Sequence, residues 1–86
     1  MSNNKVLEQI RTLKFEFQTL SSKKPNDTVN LFKLKYVNLS LKAANDLLKE
    51  EKPYEDFDTF DENNLPTNSD VLMMLSLYLD RLASYA

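Results

Sequence analysis

The sequence predicts an all-α fold, a three-helix bundle, on three observations. Two long stretches repeat apolar residues at helical spacing. A third is apolar around most of its circumference, and the 86 residues contain no glycine. Helices are expected at about residues 4–23, 28–51 and 68–85, with a long acidic and aromatic connection between the second and third. A chain of this length is expected to form a single helical domain, residues 1–86, with a modest core.

In the first helix, Val6, Ile10, Leu13, Phe17 and Leu20 recur at alternating intervals of four and three, the seam of a helix that packs on other helices. Ser2 or Asn3 is suited to cap its start. Pro25 ends it, because the residue before a proline is pushed out of the α region. Phe15 points about 180° away from the seam, which makes it a candidate contact with another protein.

The turn Pro25-Asn26-Asp27-Thr28 offers three capping residues, so the second helix is expected to start near Thr28 and run antiparallel to the first. Val29, Phe32, Tyr36, Ala43, Ala44 and Leu47 form the middle of its apolar face. Leu34, Val37, Leu41 and Leu48 extend one flank and Leu39 the other. Lys35, Asn38, Lys42, Asn45, Asp46 and Lys49 are left for the opposite, solvated face. Residues 32–42 also alternate with period two, which suits a strand. No turn residue divides that run, the alternation breaks at Tyr36-Val37, and residues 43–51 are good helix formers, so the helix is preferred.

Pro53 stops the second helix. Beyond it, Tyr54, Phe57 and Phe60 recur at intervals of three among Glu55, Asp56, Asp58, Asp61 and Glu62. Thr67-x-x-Asp70 then has the pattern of a capping box and opens the third helix. In that helix Val71, Met74, Leu75, Tyr78, Leu82 and Tyr85 line one stripe, while Leu72, Met73, Leu77 and Leu79 widen it, so neighbours must cover it on more than one side. The expected core is Val6, Ile10, Leu13, Phe17, Leu20, Val29, Phe32, Tyr36, Ala43, Leu47, Val71, Met74, Leu75, Tyr78 and Leu82.

The residue inventory argues against most chemistry. With no cysteine and no histidine, the chain lacks thiolate nucleophiles and the commonest metal ligand and general base. Without glycine it has neither a phosphate-cradling loop nor a dinucleotide fingerprint. Asp56-x-Asp58 begins like a calcium loop, but Phe60 stands at the next ligand position and Thr67 at the twelfth. The paired acids read as a solvated surface. No catalytic residue, cofactor or metal is expected, and the chain is read as not an enzyme. A pI near 5.0 argues against nucleic acid. The absence of a signal-like apolar run and of a membrane-length one gives a cytoplasmic location, with no membrane, as the expectation.

Charge distribution is more informative than the net −2. Residues 1–52 carry ten basic and six acidic side chains, whereas residues 53–70 carry six acids and no base. The acid-rich stretch is expected either to lie near the lysines of its own helices or to meet a basic partner. The expected function is a non-catalytic protein–protein interaction module, such as an adaptor, a chaperone-like protein or an assembly subunit, with a protein partner. The alternative is a small acidic inhibitor or immunity-type protein that blocks a basic site on another protein. In both, Tyr54, Phe57 and Phe60 are candidate anchors and Glu55, Asp56, Asp58, Asp61 and Glu62 the steering charge, with Phe15 a further contact. If the aromatics instead turn inward, they seal the end of the bundle. A homodimer is also expected, burying Phe15, Leu31, Leu72 and Leu79.

Overall fold

The computed structural model describes residues 3–85, which fold into an all-α bundle of three helices: α1 (Asn3–Lys23), α2 (Leu31–Leu48) and α3 (Asn68–Tyr85). The expected capping role of Ser2 falls outside the described residues. α3 packs most extensively on α1. Val71, Met74, Leu75, Tyr78 and Leu82 of α3 are buried against Val6, Ile10 and Phe17 of α1 and Leu34, Val37, Leu41, Ala44 and Leu48 of α2. Each fully buried aliphatic or aromatic side chain in this cluster contributes about 1.5–3 kcal/mol relative to exposure.

The start of α3 matches its sequence signature. The Asp70 amide donates to Thr67 Oγ1 at 3.2 Å while the Thr67 amide donates to Asp70 Oδ2 at 3.2 Å, a reciprocal capping box. Both donors would otherwise lack an intrahelical acceptor.

α2 corrects the sequence reading twice. It begins at Leu31 rather than near Thr28, because residues 27–29 pair with the chain ahead of α3. Thr28 bridges Thr67, the Val29 amide donates to the Pro66 carbonyl at 2.9 Å, and the Asn68 amide donates to the Asp27 carbonyl at 3.0 Å. Asn68 also donates its side-chain Nδ2 to the Lys24 carbonyl at 2.9 Å. The turn is thus stitched to α3, and Asn30 caps α2, its Oδ1 accepting from the Lys33 amide at 2.8 Å. The α-helix also stops at Leu48, with residues Lys49–Glu51 tightening into a single 3₁₀ turn. Lys49 has φ of 54°, a left-handed value that glycine would take at lower cost.

The second correction concerns the face that α2 buries. Phe32 and Tyr36, expected in the core, are exposed, while the expected flank of Leu34, Val37, Leu41 and Leu48 is buried. The helix is therefore turned by about a third of a revolution from the expected orientation. Asn38 and Asn45 supply the physical reason. Placing them inward lets their amides bond the backbone of the 53–66 connection, which no other side chain of α2 does.

Candidate functional site

The connection between α2 and α3 follows from what α2 offers it. Asn38 Nδ2 donates to the Phe60 carbonyl at 2.9 Å, and Asn38 Oδ1 accepts from the Phe60 amide at 2.9 Å, so one side chain satisfies both backbone groups of one residue. Seven residues on, Asn45 Nδ2 donates to the Asp58 carbonyl at 2.8 Å. Lys52 Nζ donates to the Phe57 carbonyl at 3.1 Å and pairs with the Asp58 carboxylate.

Held this way, Phe57 and Phe60 turn toward the core. Their rings meet edge to face with centroids 5.0 Å apart, and Phe57 reaches the Tyr78 ring at 6.3 Å. Tyr78 is fully buried and donates its hydroxyl to Asn45 Oδ1 at 2.5 Å. Burial, opposed by that hydrogen bond and assisted by the nearby Asp58 charge, pushes the phenol up to about 12. Asn45 thus joins the connection to α3 through one amide.

The candidate anchors are therefore separated. Phe57 and Phe60 pack against the buried cluster, whereas Tyr54 is exposed and its ring pairs with neither. All five acids of the segment are exposed. Asp58 is engaged by Lys52, Glu62 accepts from Asn38 Nδ2 at 3.4 Å, and Asp61 Oδ1 accepts from the Asn63 amide at 2.8 Å. Glu55 and Asp56 bond nothing among the described residues. Phe15 stands alone on α1 and is 63% exposed.

The rotation of α2 creates a second surface, which the sequence reading missed. Phe32, Tyr36 and Leu39 line its outer side at 71%, 53% and 61% exposure. The Phe32 and Tyr36 rings stack at a tilt with centroids 5.1 Å apart. On one side of this crest, a groove of about 690 Å³ runs between α1 and α2, lined by Gln9, Thr12 and Leu13 with Tyr36, Leu39, Ser40 and Ala43, and by Lys5 and Glu8. Beyond Leu39 a second groove lies between α2 and the connection, lined by Lys35, Lys42, Asp61 and Glu62 among others. α2 is thus a ridge between two furrows, and Leu39 faces both.

A signal for this surface exists in the chain. Phe32, Tyr36, Leu39 and Ala43 repeat at four, three and four, the seam of one helix pairing with another. The parallel repeat Leu34, Val37, Leu41, Ala44 and Leu48 competes with it on the same helix. The two asparagines, also seven apart, decide between them.

No helix among the described residues is long and apolar enough to cross a membrane. Compared with protein-family models, with curated proteins and with solved structures, the chain matches none.

Proposed function

We propose that this chain is a non-catalytic protein-interaction module that docks its partner on the outer face of α2 and the adjoining α1/α2 groove. The observation that carries this reading is the crest itself. Three large apolar side chains stand in a row on a regular helix, each more than half exposed, beside an apolar furrow. Continuous exposed apolar surface of this kind costs solubility and marks interaction sites in folded proteins, and aromatic side chains supply most of the energy at such sites. The residue inventory supports the non-catalytic half, since the chain has no histidine or cysteine.

The acidic-inhibitor alternative draws on Glu55 and Asp56, with Tyr54 beside them as an exposed aromatic. Photo-crosslinking in the native host separates the two readings. A photoreactive phenylalanine analogue at position 32 or 39 is expected to capture another polypeptide, and the same analogue at position 54 is not. Capture from position 54 alone would transfer the docking role to the acidic connection. Crosslinking from none of the three would remove the interaction reading.

A further inference from the structure

We propose that the crest of α2 docks a second copy of this chain, antiparallel across a two-fold axis between Tyr36 and Leu39, an inference that rests on the docking face above and names its occupant. The face is self-complementary in shape. Its first half carries the bulky Phe32 and Tyr36; its second half carries the small Ser40 and Ala43, which line the groove. A two-fold axis reverses one copy relative to the other, so Phe32 of each enters the furrow at Ala43 of its mate, and Tyr36 meets Leu39. The four, three, four spacing of these residues is what an α2–α2 seam requires. A parallel pairing would set Phe32 against Phe32 and leave a void at Ala43.

Charge and size agree with this occupant. The furrow beyond Leu39 holds two lysines, Lys35 and Lys42, and two acids, Asp61 and Glu62. A flank of equal and opposite charge selects no partner of one sign. It does match a copy of itself, whose lysines and acids it meets together across the axis. A standard dimer buries roughly 800 Å² per partner, a small share of this chain's 5561 Å² surface.

Sedimentation equilibrium up to roughly 1 mM tests the occupant, with the mass expected to rise from 10.0 kDa toward twice that value. Leu39→Lys is expected to raise the dissociation constant at least about tenfold with an unchanged melting temperature, since Leu39 is exposed. The orientation is read by disulfide trapping, for which the cysteine-free chain is suited. A mixture of Phe32→Cys and Ala43→Cys chains should form the mixed disulfide, and neither variant alone should crosslink. Crosslinking of each variant with itself overturns the antiparallel arrangement. A dimer indifferent to Leu39→Lys places self-association elsewhere and overturns the proposal. A chain still monomeric at roughly 1 mM rejects the second copy alone; photo-crosslinking from position 32 to another polypeptide would then keep the docking face.

Discussion

Phe57 with Phe60 and Phe32 with Tyr36 are alike as pairs, two rings about 5 Å apart, and the fold uses them in opposite ways. The first pair belongs to an irregular acidic segment, and it closes one side of the core. The second belongs to a regular helix with a strong apolar repeat, and it faces water. The difference lies in the backbone, not in the rings. An irregular segment has amide and carbonyl groups that nothing satisfies internally, and the asparagines of α2 pair them only when α2 turns Phe32 and Tyr36 outward.

The largest effect should come from removing the inward pair. Replacing both Phe57 and Phe60 with serine is expected to cost about 3–5 kcal/mol, read by urea unfolding, from lost apolar burial at two half-buried sites. For a domain of this length that is a large share of total stability. A loss below about 1 kcal/mol would show that the pair does not hold the segment down.

Asn38→Ala is expected to cost somewhat less, about 2–3 kcal/mol, because it leaves both the amide and the carbonyl of Phe60 without their partner. Hydrogen exchange at the Phe60 amide should quicken in the same variant by more than exchange in α1 does. Equal quickening everywhere would mean that the bond pair is ordinary and that the segment is held by its rings.

Tyr78→Phe separates burial from bonding. At neutral pH it should cost about 1 kcal/mol through the lost bond to Asn45. At high pH the sign reverses in the comparison. The fold holds the phenol protonated, raising it from 10.0 to about 12, so this contribution is complete below pH 10 and is lost as pH rises through 12. The wild type should therefore lose on the order of 2–3 kcal/mol more than the variant across that interval. Parallel alkaline curves for the two proteins would rule out a buried phenol at this position.

The smallest change is expected for the outward pair. Phe32→Ser with Tyr36→Ser should alter the stability of the isolated chain by less than about 0.5 kcal/mol, since both side chains are exposed, while it abolishes self-association. A loss comparable to that of the Phe57 and Phe60 variant would return these rings to the core.

The sequence by itself determined the all-α class, the limits of α1 and α3 to within a residue, the Thr67–Asp70 capping box and most of the core of those two helices. These features depend on local periodicity and capping, which act within a few residues of one another. It also left two readings of α2 side by side, because apolar residues surround more than half of that helix. Only the tertiary structure decided which face is buried, where α2 begins and whether Phe57 and Phe60 turn inward. Those choices rest on partners distant in the chain: Asn38 with Phe60, Asn45 with Asp58 and Tyr78, and Val29 with Pro66. An asparagine looks solvated in a helical repeat, and what draws it inward is an unpaired backbone that arrives from elsewhere in the chain.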